Sequence, residues 1–195
     1  MTYLISTLIF AVVGTAQLNI FEIEGIFSNA HINALEGHIE EYEYTDDDLL
    51  ILQYSSQEGS AESIAELNSL LSGYDFPIGV WFGPYKISID FKQLNNFDYI
   101  GFSPGLEINN VSFDESVEKK YCTINICNFE ERKIIVSTNE GIYDNYLIVG
   151  TLGSFIENID FVISDQSIEF FKPSLFERFY IAISNPIFTY MFFVL

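Results

Sequence analysis

The first part of the chain alternates between strand-like and helix-like patterns. Residues 17–25 alternate apolar and polar side chains, which predicts a strand. Residues 49–53 form a short, continuous apolar run, which is typical of a strand that is covered on both faces. Between these two segments, apolar residues recur at helical spacing, and Ser28 or Asn29 is the candidate N-cap. The pattern therefore predicts strand, helix and strand in succession.

The same order continues along the chain. Residues 60–73 have the spacing of an amphipathic helix that ends at a glycine, and residues 77–83 form the next apolar strand. Residues 98–105 predict another strand, which ends at a Ser-Pro-Gly turn. Strands that alternate with helices in this way favour a mostly parallel sheet with right-handed crossover helices. We therefore predict an α/β fold.

The pattern after Gly105 is less regular. Residues 120–129 and 131–138 look extended, residues 150–160 look like a short helix, and residues 160–172 resemble a hairpin. The chain has two cysteines, Cys122 and Cys127, and both fall in the first of these segments. Five residues apart on a straight strand, they point to opposite faces, so we expect free thiols unless a turn intervenes.

Both ends of the chain are strongly apolar. Residues 1–16 end in the small residues Gly-Thr-Ala, which is typical of a signal peptide, although an uncleaved anchor or a buried first strand fits the run as well. Residues 179–195 carry no charge, which indicates the start of a transmembrane helix or a hydrophobic tail that packs on the core. We predict three parts: 1–16 as a signal peptide or anchor, 17–174 as the folded domain, and 175–195 as the start of a C-terminal transmembrane helix.

Charge excludes one class of partner. Lys and Arg total 8 against 28 Asp and Glu, for a formal net charge of −20. Such a surface repels phosphate backbones, so we expect no nucleic-acid partner. His31 and His38 lack further ligands at matched spacing, so we interpret them as surface or boundary residues and expect no metal site. We expect no cofactor either, because no phosphate-binding glycine motif or haem attachment site is present.

Several motifs carry a family resemblance, and they occur in the family's order. They read "IEGIFSNA", "LLILQYSSQEGS", "FPIGVWFGP", "DYIGFSPGLEIN", "GIYDNYLIVGTLGSFIENID" and "LFERFYIAISNPIFTYMFFVL". In this respect the chain resembles the NfeD-like membrane-bound serine proteases of the ClpP class. The last motif is the most specific, because the family joins its protease domain to its first transmembrane helix through a similar Arg, Asn-Pro and Tyr pattern. The resemblance implies a ClpP/crotonase-like fold, an extracytoplasmic domain and a C-terminal membrane anchor.

The resemblance also implies a chemistry, which is peptide cleavage by a Ser-Lys dyad with an oxyanion held by a glycine-rich turn. Alignment to the family places Ser88 at the nucleophile and Lys119 or Lys120 at the base. The oxyanion turn falls on residues 55–59, where Glu58 replaces a family glycine and Gly59 is kept. Glu58 brings negative charge to the place where negative charge develops, so the turn is interpreted as degenerate.

Bulky residues also surround the predicted nucleophile. Ile87, Ile89 and Asp90 occupy positions that the family gives to alanine and glycine. The sequence therefore favours a membrane-anchored pseudoprotease that acts as a binding or scaffold module. The alternative is an active Ser-Lys endopeptidase that uses Ser88 on hydrophobic peptide segments. The resemblance implies the membrane and a stomatin-like membrane protein or peptide as partners, and homo-oligomerisation stays open.

Overall fold

The structure is a computed structural model that describes residues 17–59, 61–84, 86–89, 91–161 and 168–171, together with Phe176 and Phe179. The predicted N-terminal signal or anchor, Asp90 and most of the predicted C-terminal segment lie outside these residues. Among the helices that are described, none has the length and apolarity needed to cross a bilayer.

The described residues form strands, four α-helices and one short 3₁₀ helix. The strands are β1 (Leu18–Phe27), β2 (Leu49–Gly59), β3 (Ile78–Phe82), β4 (Ile87–Ser88), β5 (Tyr99–Phe102), β6 (Glu107–Asn109), β7 (Ile126–Asn128), β8 (Lys133–Ile135), β9 (Gly141–Tyr143), β10 (Tyr146–Ile148) and β11 (Ile168–Phe171). The helices are α1 (Asn29–Tyr42), α2 (Ala61–Leu71), α3 (Glu115–Tyr121) and α4 (Leu152–Asn158), and the 3₁₀ helix covers Phe91–Asn96.

A seven-stranded sheet in the order β11-β1-β2-β3-β5-β10-β9 forms the centre of the fold. All neighbouring pairs in it are parallel except β9 and β10. The predicted parallel α/β sheet is therefore confirmed. β11 lies parallel to β1, so the segment predicted as a hairpin contributes an edge strand, and residues 162–167 lie outside the described residues.

Side chains on the central strands alternate between two cores. Leu50 and Leu52 of β2 belong to a large core that α1 and α2 cover, whereas Leu49 and Ile51 belong to a smaller core that includes Phe155 of α4. All four of these β2 side chains are 0% exposed. This double coverage explains the continuous apolar run, because both faces of the strand are removed from water.

A second, four-stranded sheet in the order β4-β6-β8-β7 lies beside the first. β4 contacts β2, and Ile87, Ile108 and Ile134 of the small sheet join the large core. The chain therefore builds two layers of strand around one main hydrophobic core.

The segment from Glu115 to Asn128 differs from the prediction. Residues 115–121 form α3, a turn follows, and only Ile126–Asn128 is extended. The turn brings the α-carbons of Cys122 and Cys127 to 5.6 Å, and the two residues form a disulfide. The expectation of free thiols is wrong, because it rested on a straight strand between the two cysteines.

Candidate functional site

The segment predicted as an oxyanion turn continues as a strand. β2 pairs with β3 only as far as Tyr54, but it stays paired with β1 as far as Gly59. Between Gly25 and Ile26 the register shifts by one residue, so that Gln57 forms a bulge in β2. The carboxyl end of β2 therefore extends past β3 as a two-stranded ribbon with β1.

Ser56 fixes the geometry of this ribbon. Its side chain is fully buried, and its hydroxyl donates a hydrogen bond to the Gly25 carbonyl at 2.6 Å. The same hydroxyl oxygen accepts a hydrogen bond from the Phe27 backbone N–H at 3.1 Å. Gly25 has a φ of +77°, which glycine adopts without steric cost. The bulge is therefore a hydrogen-bonded feature of the fold, and no local sequence pattern predicted it.

Glu58 and Gly59, the predicted oxyanion residues, are paired with β1. Glu58 lies opposite Ile26 and Gly59 lies opposite Phe27 in the ladder. In a parallel ladder only alternate residues of a strand direct their N–H groups to a given neighbour, so this pairing engages alternate amides of the stretch. The structure therefore places these two residues at the end of a strand that is paired with β1.

Ser88 lies in β4, next to the ribbon. Its side chain is half-buried, whereas Ile87 and Ile89 on either side are buried in the core. The Ser88 hydroxyl oxygen accepts a hydrogen bond from the side-chain amide of Asn110 at 2.8 Å. Because β4 contacts β2, the fold brings the predicted nucleophile and the predicted oxyanion strand into neighbouring elements.

Lys119 and Lys120 lie in the last turn of α3. The Asp114 carboxylate caps the first turn by accepting from the Ser116 and Val117 amides, both at 3.1 Å. The Lys120 ammonium lies 5.3 Å from the centre of the Tyr121 ring, within reach of a cation–π contact. In the described part of the chain, neither lysine forms a hydrogen bond with Ser88. Both lysines therefore lie on α3, and among the described residues the predicted dyad contact with Ser88 is not formed.

A cavity of about 420 Å³ lies elsewhere, at the amino ends of β5 and β10. Its walls include three tyrosines, three aspartates and a lysine: Tyr99, Tyr143, Tyr146, Asp98, Asp144, Asp160 and Lys120. Burial and the nearby Asp98 and Asp160 carboxylates raise the pKa of Tyr99 above 10.0. Burial raises the pKa of Tyr146 to about 12. These hydroxyls therefore stay protonated at neutral pH.

A second described cavity is far smaller. It has a volume of about 10 Å³ and is lined by Asn68 and by apolar residues that include Leu52, Phe82 and Ile89. This volume is about that of a single water probe. Ser88 lines neither of the two cavities.

The two histidines differ from their expected surface position. Both are buried in α1, at 3% exposure for His31 and 8% for His38. His31 Nε2 lies 3.1 Å from the Glu24 carbonyl oxygen, and His38 Nε2 lies 3.0 Å from the Tyr44 hydroxyl. Burial lowers the pKa of His31 below 6.5, against the opposing effect of the bond to Glu24. Among the residues that the structure describes, no group of three or more His, Cys, Asp and Glu residues could hold a metal.

No protein-family model matches the chain, and no curated protein sequence matches it significantly. Solved structures do match. A lysine-to-alanine mutant of the 1510-N membrane-bound stomatin-specific protease, in complex with a substrate peptide, has a TM-score of 0.61 at 8% identity. This match covers 88% of our chain and 99% of that one.

Two further structures agree with the first. The 1510-N membrane protease specific for a stomatin homologue from Pyrococcus horikoshii has a TM-score of 0.61 at 9% identity, over 87% of this chain and 99% of that one. A serine-to-alanine mutant of the same protease has a TM-score of 0.54 at 10% identity, over 83% and 100%. The chain therefore has the ClpP-like fold of these membrane proteases, as the sequence motifs predicted.

Proposed function

We propose that the chain is a membrane-anchored, extracytoplasmic ClpP-like domain that binds a hydrophobic peptide segment of a stomatin-like membrane protein without cleaving it. The proposal combines the observed fold with the altered chemistry at the family's catalytic positions. In this reading the domain covers residues 17–174, behind a signal peptide or anchor at 1–16 and ahead of a transmembrane helix that starts in 175–195.

The loss of cleavage is supported by one observation. Among the described residues, the Ser88 hydroxyl is bonded to Asn110, and neither Lys119 nor Lys120 hydrogen-bonds to it. The segment that aligns with the oxyanion turn is also an extended strand, paired with β1 as far as Gly59. Losing a single oxyanion donor typically costs about 100-fold to 1000-fold in rate. In the sequence, Glu58 replaces a family glycine in this segment. Turnover is therefore expected to fall far below that of an active protease.

The proposed location is supported by two independent features. The Cys122–Cys127 disulfide fits an oxidising compartment outside the cytoplasm, where such bonds persist. The apolar ends of the chain fit export and membrane anchoring. The proposed partner follows from the solved proteases with this fold, which are described as specific for stomatin or a stomatin homologue.

The second candidate is an active Ser-Lys endopeptidase. It is favoured by the contact between β4, which carries Ser88, and β2. It also needs Lys119 or Lys120 to reach Ser88 when a peptide is bound. The two candidates assign the same peptide class and differ only in turnover.

Labelling with a fluorophosphonate tests the chemistry at Ser88. The parent protein, Ser88→Ala and Ser69→Ala are compared in membranes, because Ser69 is an exposed serine on α2, a different element from the β4 strand that carries Ser88. We expect no labelling of the parent, while an active family member is labelled in parallel. Labelling of the parent and of Ser69→Ala that disappears in Ser88→Ala would establish an activated nucleophile and exclude the pseudoprotease.

Peptide binding tests the other half of the proposal. A fluorescent peptide that carries the apolar segment of a stomatin-like protein is titrated with the full chain, and a scrambled polar peptide is the control. We expect saturable binding of the apolar peptide alone, with the peptide recovered intact by mass spectrometry. Equal binding of both peptides would contradict the proposed role.

A further inference from the structure

The disulfide closes a short loop at the end of α3. Cys122 is the residue at which the helix ends, and its backbone N–H still bonds to the Glu118 carbonyl oxygen. Cys127 lies in β7, the outer strand of the four-stranded sheet. Both cysteines are half-buried, so each residue is partly exposed to solvent. The bond therefore joins the end of one helix to an edge strand.

Asn125 provides a second, non-covalent link in the same loop. Its side chain is buried, and its amide nitrogen donates to the Tyr121 carbonyl oxygen at 2.8 Å. The amide oxygen accepts from the Ser137 backbone N–H at 2.8 Å. The loop is therefore held by two kinds of link, one covalent and one hydrogen-bonded.

The helix that the disulfide holds also forms part of a cavity wall. Lys120 of α3 and Tyr146 of β10 both line the cavity of about 420 Å³. The Tyr121 ring stacks on the Tyr146 ring at 5.3 Å between centroids. Movement of the end of α3 therefore changes this wall. The smaller core around Trp81 lies on the other face of the central sheet, away from α3.

We propose that the Cys122–Cys127 disulfide is a redox-sensitive clasp that fixes the end of α3 and, with it, one wall of the cavity. The reductant is a dithiol. One of its thiolates attacks a cysteine sulfur, the disulfide breaks, and the second thiol completes a new disulfide within the reductant. Two electrons pass to the protein, and both cysteine sulfurs leave as thiols after taking up protons.

Short disulfide loops restrict the unfolded chain less than long ones, and this loop joins residues separated by five positions. Opening it therefore loosens α3 locally and leaves the central sheet folded. The clasp acts whether or not Ser88 is catalytic, so it stands independently of the proposed function.

Hydrogen exchange of the full chain, with and without dithiothreitol, tests the clasp. We expect amide exchange in residues 119–128 to rise by at least about 10-fold on reduction, and to return on reoxidation. Exchange in β1 and β2 and the fluorescence of Trp81, the chain's one tryptophan, should not change. Unchanged exchange in residues 119–128 would overturn the clasp, and a simultaneous loss of the Trp81 signal would show a global staple instead.

A double variant controls for effects of the reductant itself. Cys122→Ser/Cys127→Ser should show fast exchange in residues 119–128 without dithiothreitol and no further response when it is added. A response of the double variant equal to that of the parent would assign the effect to another target and overturn the proposal.

Discussion

The seven-stranded sheet buries apolar side chains on both faces, whereas the four-stranded sheet beside it has strands of only two or three residues and an edge that is open to solvent. Ile126 in its outer strand β7 is 68% exposed. The inner face of the small sheet also packs on the large core. A disulfide and the buried amide of Asn125 link this sheet to α3, and ion pairs at Glu107 join neighbouring strands within it.

This difference bears on the candidate site, because Ser88, Lys119 and Lys120 all belong to the smaller layer. Apolar burial is shared among many contacts. Truncating one buried side chain removes buried apolar area and leaves a cavity, which lowers the unfolding free energy by a large amount. The smaller layer adds a few polar and covalent links to its apolar contacts with the core, and these links respond to single substitutions and to solution conditions. We therefore expect mutations in the two regions to differ in size and in their dependence on pH and redox state.

The largest effect is expected for Phe155→Ala in the central layer. Phe155 is 0% exposed, and a β-carbon at Gly101 would lie 2.5 Å from its ring, so glycine is needed where the two approach. Removing the ring leaves a cavity that typically costs about 3–5 kcal/mol. Urea unfolding followed by circular dichroism measures the loss of unfolding free energy.

Phe129→Ala is the matched control in the smaller layer, because the Phe129 side chain is 51% exposed. The Phe129 ring contacts Phe113 at 4.6 Å between centroids, so we expect this substitution to cost about 1 kcal/mol, well below the cost at Phe155. Equal losses for the two variants would contradict the contrast between the buried central sheet and the solvent-exposed edge of the second layer.

An intermediate effect is expected for Asn125→Ala. This change removes the acceptor of the Ser137 N–H and the donor to the Tyr121 carbonyl. Buried groups left unsatisfied in this way typically cost about 1–3 kcal/mol. Asn139→Ala, at an exposed position, should change the unfolding free energy by less than about 0.5 kcal/mol. If the two variants unfold at the same urea concentration, the Asn125 link contributes nothing to the second layer.

The central layer could be predicted because its signals are local. The apolar run at 49–53 and the helical spacing before it became β2 and α1, and Ser28 takes the N-cap position that was predicted for it. The Ser28 hydroxyl makes no capping hydrogen bond, however. The residue type therefore predicted where the helix starts, but not the hydrogen bonds made there.

The helix α3 was missed although a local signal existed. Asp114 precedes acidic residues in the first turn and basic residues in the last, which is the charge order that a helix dipole favours. Too few apolar positions in this short segment show helical spacing, so the extended interpretation of Lys120 to Phe129 prevailed. The disulfide was missed for the same reason.

The candidate site was harder to predict because its geometry depends on distant partners. Residues 55–59 are polar and end in glycine, which is typical of a turn, yet pairing with β1 keeps them extended. The bulge at Gln57 depends on Gly25 and Ser56, which are 31 residues apart. A family motif predicts which residues occupy the candidate site. Their backbone conformation, however, is set by the strands that they pair with in the tertiary fold.

The smallest expected effect concerns the ion pairs of Glu107, whose contribution to stability should depend on pH. Glu107 lies 2.5 Å from the Lys86 ammonium and 2.9 Å from the Lys133 ammonium. Hydrogen bonds from Lys86 and then Lys133 lower the pKa of Glu107 from 4.5 to about 2. A lowered folded-state pKa adds stability above pH 4.5, and this contribution is lost as the pH falls from there towards 2.

We expect Glu107→Gln to destabilise the protein at pH 7 by less than about 1 kcal/mol, because the carboxylate and Lys86 are partly solvated and salt screens them. The difference in unfolding free energy between parent and variant should shrink between pH 5 and pH 3, where the unfolded-state carboxyl of the parent takes up its proton. Urea titrations at several pH values measure this difference, and Phe155→Ala is the control whose cost should stay constant. If Glu107→Gln lowers the unfolding free energy by the same amount at every pH, these charges do not stabilise the second layer. Packing would then govern the stability of both regions.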